Sequence, residues 1–424
     1  MHTFRVPLAP RLKLATSSLL GLVLLLGSAH ALAAYRDIGP GSDSSIHVAL
    51  ASLVSSSPIV IEGEDGIVID GVRVFSEDGD CITIRDSTNI TIRNSVIGPC
   101  AGRGVWVDGG SVVAIVGNKI QTQYKPQECC DTGNGVYARL TDGITVESND
   151  IAYSESNIQL NGVTNAVVRD NTLANPLGPF PRGQQIQIAG SFGVPDSRDV
   201  LIEGNLLIAS KGAEFNFKEN QEDAINIYHA HNVMVRENDV RGGSSPSGCG
   251  ILVDDSSSET TIQNNRVYNT AQCGIGIASG LNHVVDSNRV LLNQEIPGGG
   301  NTAIYTWSQY PAPCSGVAVT NNVATFVRAN DVQSGFFDGG GCEPVTLSNN
   351  VFDEAAHAIL LPEFADVHTG LLPELFPLEY PPSSDEWVAP VTKGLLGVAA
   401  IGAVAVLGFY LISRRRSAAR PRNA

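Results

Sequence analysis

Val233-Met-Val-Arg-Glu-Asn238-Asp-Val240 carries a pattern, apolar-x-apolar-x-x-Asn-x-apolar, to which the chain keeps returning. The Asn recurs at positions 118, 149, 171, 205, 238, 265, 288, 322 and 350, and Ser95 holds the same slot in an earlier copy. Successive slots lie 22 to 34 residues apart, so a fixed core is repeated while the segments between copies vary in length. Self-similarity of this kind is the signature of a solenoid.

The copies alternate. In Asn89-Ile-Thr-Ile-Arg93, Gly143-Ile-Thr-Val-Glu147 and Asp199-Val-Leu-Ile-Glu203 every second residue is apolar, the period of a strand with one buried face. One such strand cannot bury itself, whereas stacked copies pair at roughly 4.8 Å and bury a continuous core. The Asn side chains then form a hydrogen-bonded ladder at a turn, and ten rungs make a column of about 48 Å. A second strand recurs in each copy, as in Cys81-Ile-Thr-Ile84, Gly104-Val-Trp-Val107, Gly135-Val-Tyr-Ala138 and Gly250-Ile-Leu-Val253.

These repeats resemble the pectin-lyase-like, right-handed β-helix repeat family over about residues 58–361. The resemblance implies an all-β fold, a right-handed parallel β-helix of ten to twelve coils. It does not imply one chemistry, because that family contains lyases, hydrolases, epimerases and proteins without known activity.

The flanks read differently. Arg5, Arg11 and Lys13 precede the apolar run Leu19 to Leu26, and small residues follow, so residues 1–33 read as a signal peptide rather than an uncut anchor. Residues 40–57 suit an amphipathic cap helix through Ile46, Leu50 and Leu53. Strand pattern is expected to continue to Ile359-Leu-Leu361. A Pro-rich spacer occupies 362–392, and 393–412 holds an uncharged apolar run that as a helix spans a bilayer. The Arg-rich tail 413–424 then belongs on the cytoplasmic side. The expected protein is a monomer of the cell envelope, crossing the membrane once, with its column outside the cytoplasm.

Eight cysteines in an exported domain imply disulfides. Cys249 and Cys273 stand at equivalent positions of adjacent coils, as do Cys314 and Cys342, so each pair is expected to bond. Cys81, Cys100, Cys129 and Cys130 form a second group with more than one possible pairing. The exported part contains all 43 acidic residues, which argues against nucleic acid as a partner and repels polyanionic sugars unless Ca²⁺ or a basic strip intervenes.

Inserts at about 121–134, 174–184, 208–223, 241–249, 293–302, 308–315 and 329–341 mostly precede the second strand, so they gather on one side of the column. Outward positions of that strand include Trp106, Asp108, Tyr137, Arg139, Gln159, Asn161, Gln185, Gln187, Asn226, Tyr228, Asp254, Tyr305 and Trp307. Rings cover apolar sugar faces and amides bond hydroxyls, so this strip suits an extended polysaccharide; the plainer reading is packing beneath the inserts.

The densest polar stretch lies between Lys211 and His231. A uronate lyase or epimerase needs a base beside the carboxylate and a cation to neutralise it. Lys218, Tyr228 and His229 are the candidate acid and base groups, and Glu222 with Asp223 the candidate Ca²⁺ ligands. A local likeness to polygalacturonases around Asp80 and Gly98 to Gly104 is incomplete, since Arg103 stands where that family has His and only one acidic residue of its pair remains. Two functions follow: a polysaccharide lyase or epimerase, or a non-catalytic surface protein that binds glycan or acts as a spacer.

Overall fold

The computed structural model describes residues 53–122, 130–178, 181–191, 193–209, 222–365 and 367. The signal peptide, most of the cap helix, the Pro-rich spacer beyond 367, the membrane span, the basic tail, Cys129 and Lys218 lie outside these residues. Among the described residues no helix is long and apolar enough to cross a membrane.

Three parallel sheets of twelve, eleven and eleven strands run the length of a β-helix. The first sheet begins at Val54–Ser56, the second at Ile59–Glu62 and the third at Val68–Asp70, and each later coil visits them in that order. The first sheet thus opens in what was expected to be the end of the cap helix: Val54 pairs with Val72 as strand. Each coil has three strands, with the motif strand in the third sheet and the second recurrent strand in the second sheet.

Register explains the alternation. Ile92 pairs with Ile115, Val146 with Val168, Val168 with Ile202 and Ile202 with Val235. All six side chains are fully buried. Each inward residue therefore sits on its counterpart in the next coil, and apolar contact runs unbroken along the core.

The Asn ladder closes the corner between the third and first sheets. Asn205 Nδ2 donates to Asn238 Oδ1 at 2.9 Å, Asn238 to Asn265 at 2.9 Å and Asn265 to Asn288 at 3.0 Å. The same Oδ1 atoms accept the backbone N–H of the preceding rung, as in Asn205 N to Asn238 at 3.0 Å. The residue before each Asn is left-handed, with φ of 54° at Ser148, 54° at Asp170 and 57° at Glu237. L-residues adopt that conformation at a cost of about 1–2 kcal/mol, and the buried ladder offsets it.

The column does not continue to Ile359-Leu-Leu361. Its last strand is Val351–Phe352, and Asp353–Glu363 forms a helix, α1. Ala355, Ala356 and Ala358 favour helix, and Ala356, Leu360 and Phe364 fall four residues apart. Those three are buried with Leu291 and Val323, so the helix covers the last coils. Three consecutive apolar residues fit a short strand and a helix face equally well, and here the exposed apolar end of the column selects the helix.

Cys249–Cys273 and Cys314–Cys342 are disulfides, with Cα atoms 4.6 and 4.3 Å apart, as the repeat register requires. Cys81–Cys100 is a third, one of the pairings left open by the sequence. Cys130 is also disulfide-bonded.

Candidate functional site

The second sheet stacks its outward residues in one column: Thr83, Trp106, Tyr137, Gln159, Gln187, Asn226, Leu252, Gly276, Tyr305 and Phe337 are successive partners. The column divides into two halves with different fates.

In the first half the side chains bond one another. Arg103 lies over Trp106 and Tyr137, at 4.7 and 5.0 Å from the ring centroids. Arg139 pairs with Asp108 through bonds of 2.6 and 2.9 Å. Asn134 donates to Gln159 at 2.8 Å, and Asn161 to the Tyr137 hydroxyl at 3.3 Å. Tyr137, Gln159 and Asn161 are buried. Insert residues close over them: Glu155 accepts the backbone N–H groups of Asp131, Thr132 and Gly133, and Arg182 binds Asp131 with bonds of 2.6 and 3.2 Å. Trp106, Asp108, Tyr137, Arg139, Gln159 and Asn161 therefore do not line the groove found farther along, and the strip does not run open for its full length. Gln185 also leaves it, buried at a corner where it donates to Ile208 O at 2.9 Å.

The second half is open. A groove of about 790 Å³ lies over the later coils. Gln187, Asn226, Leu252, Tyr305 and Phe337 of the column line it, joined by Tyr228, Asp254 and Trp307. The inserts add Glu222, Asp223, Pro246, Ser247, Gln309, Tyr310 and Arg328. Trp307 and Phe337 are 47% and 50% exposed, large apolar rings facing solvent at one end of the groove. Gly276 makes the wall possible, since a Cβ there meets the Tyr305 ring at 2.6 Å.

Three carboxyl groups meet on the floor. Asn226 Nδ2 donates to Asp223 Oδ2 at 2.8 Å and to Asp254 Oδ2 at 3.3 Å. Asp223 Oδ1 accepts the backbone N–H of Cys249 at 2.7 Å. Glu222 accepts the hydroxyls of Ser245 and Ser247 at 3.1 and 2.9 Å. Burial raises the Asp223 carboxyl well above the usual carboxylate range, and the charges of Glu222 and Asp254 raise it further. Burial likewise raises Glu222. Tyr305 and Tyr310 are raised too, first by burial, then by the Asp223 charge at Tyr305 and by a bond to Asp254 at Tyr310.

The groove thus gathers Gln187, Asn226, Tyr228, Tyr305, Trp307, Glu222 and Asp223 from the residues expected on sequence. It excludes His229. That residue occupies a left-handed turn, φ 49°, and its ring turns to Asp196 at 3.4 Å and Asp255 at 3.9 Å. Both Asp223 oxygens accept N–H bonds, and among the described residues no group of three or more His, Cys, Asp or Glu side chains is placed to hold a metal ion. Asp254 completes the acidic trio with Glu222 and Asp223. Its signal was present in its outward position, one coil after Tyr228.

Fold and groove together define a parallel β-helix repeat protein with an acidic, aromatic-walled cleft on one sheet. The chain belongs to the right-handed beta helix region family, whose model matches residues 57–215 and 194–361. No curated protein matches it. Among solved structures it is similar to the Dettilon tailspike protein, at 16% identity and TM-score 0.41, over 73% of this chain and 61% of that one. DFA-IIIase from Arthrobacter chlorophenolicus A6 is similar at 13% identity and TM-score 0.46, over 70% of this chain and 86% of the enzyme. The periplasmic alginate epimerase AlgG follows at 12% and 0.45, over 70% and 77%.

Proposed function

We propose that the groove binds an extended polysaccharide and cleaves it by carboxyl acid–base chemistry. The observation that carries this reading is the shared Asn226 amide, which holds Asp223 and Asp254 side by side in an aromatic-walled cleft. Asp223, kept protonated by burial, donates its proton to the glycosidic oxygen. The Asp254 carboxylate attacks the anomeric carbon as its bond to the protonated glycosidic oxygen breaks, and water, giving a proton to Asp223, then hydrolyses the glycosyl ester and frees Asp254. Two oxygens that accept from one nitrogen lie closer than the roughly 6.5–9.5 Å that leaves room for a water in inverting enzymes, and favour a covalent, retaining course. Trp307 and Phe337 supply exposed faces for sugar rings.

A uronate lyase or epimerase fits less well. The two basic side chains among the described lining residues are otherwise engaged: Arg182 with Asp131, and Arg328 with the carbonyls of Gly300 and Asn301. Neither is free to neutralise a uronate next to three carboxyls. The terminal segments support an exported, membrane-anchored placement, which fractionation of the producing cell tests.

The test of function is incubation of the full-length protein with neutral, amino and acidic glycans, read by reducing ends and by absorbance of unsaturated products. New reducing ends that vanish in Asp223→Asn and Asp254→Asn support hydrolysis. Unsaturated products point instead to elimination, and retention without any product to the non-catalytic alternative.

A further inference from the structure

We infer that the glycan bound in this groove carries an amino sugar, whose ammonium sits against Glu222 and Asp254. The inference rests on the reading of the groove as a glycan site and specifies its substrate class.

The first observation is what the floor offers a ligand. Gln187 Nε2 donates to Asn226 Oδ1 at 3.4 Å, and Asn226 Nδ2 serves the two carboxylates. The amide hydrogens of this chain therefore point inward along it. Gln187 Oε1 is left over: the residue is 7% exposed, lines the groove and has no hydrogen-bond partner for that oxygen. An orphaned buried acceptor beside an acidic trio calls for a ligand rich in donors.

The second observation is charge. Among the described residues no Lys, Arg or His forms an ion pair with Glu222, Asp223 or Asp254. Three neighbouring carboxyls with no ion-pair partner among the described residues are costly to bury. A primary ammonium brings one positive charge and three N–H donors on a compact centre, whereas a hydroxyl brings one donor and no charge. A uronate brings a further negative charge and is repelled. The direction of the proton equilibrium agrees: an ammonium against Glu222 lowers that raised carboxyl, so binding releases protons from it.

Calorimetric titration of the full-length protein with hexasaccharides of glucosamine, N-acetylglucosamine and galacturonate tests this, at pH 6 and low salt. The glucosamine oligomer is expected to bind at least tenfold more tightly than the acetylated one, to weaken as salt rises, and to show no such preference in Glu222→Gln or Asp254→Asn proteins that retain the wild-type melting profile. Equal or tighter binding of the acetylated or uronate oligomer overturns the inference and leaves the glycan reading standing. So does a preference that survives both substitutions. Failure of all three oligomers to bind overturns both.

Discussion

The backbone N–H of Cys249 donates to Asp223 Oδ1 at 2.7 Å, and Cys249 is bonded through sulfur to Cys273 on the next coil. A structural cross-link thus holds the donor that orients a buried acid. Replacing both cysteines with Ser is expected to cost about 3 kcal/mol of stability for a loop of this length. It should also lower kcat on a cleaved glycan more than it raises KM. Urea denaturation and steady-state kinetics on the double variant check the two effects separately.

Asp223 also makes function and stability oppose one another. Its folded pKa is raised, so the native state holds a proton that the unfolded chain gives up more readily, and stability falls as pH rises above the ordinary carboxylate range. Asp223→Asn removes that loss. The variant should therefore be inactive yet more resistant to urea than wild type at pH 7, with the difference vanishing near pH 3.

Asp150 and His283 shape the rest of the pH profile. Burial raises Asp150 from 3.8 to about 6 and lowers His283 from 6.5 to about 4. The first contributes stability that is lost as pH climbs from about 4 to 6, and the second stability that is lost as pH falls from 6.5 to about 4. Asp150→Asn should stabilise the protein by about 1–3 kcal/mol at pH 7 and by little at pH 3. His283 stays neutral in the fold, its Nδ1 accepting from Thr260 N at 3.2 Å. Melting curves across pH 3 to 8 read both groups.

The Asn ladder predicts a local and large effect. Asn238→Ala removes the acceptor for Asn205 N and Nδ2 and the donor to Asn265 and Ile202 O. Several buried groups lose partners at once, so a loss of about 3 kcal/mol is expected by urea denaturation. Asn89→Ala, at an exposed left-handed strand position (φ 52°) where the side chain bonds Asp65, should cost less, about 1 kcal/mol.

Much of this architecture was legible in the chain. The two-residue alternation and the recurring Asn specify strand, inward face and register together, and register in turn pairs Cys249 with Cys273 and Cys314 with Cys342. Helix α1 was not legible, because Ile359-Leu-Leu361 fits either element until the open end of the column is known. About half of the candidate residues stand away from the groove for a related reason. Outward alternation says that Gln159 and Asn161 leave the core, but not that they end up buried, bonded to Asn134 and Tyr137. His229 was lost to a backbone feature, a left-handed turn, that its residue type does not announce.

The most direct test of the account is a crystal structure of the Asp223→Asn protein soaked with a glycan that the wild type cleaves. The prediction is a sugar chain lying along the second sheet, its rings on Trp307 and Phe337 and one glycosidic oxygen within hydrogen-bond reach of residue 223. Sugar bound on another face, or a groove that stays empty while glycan is still cleaved by this variant, contradicts it.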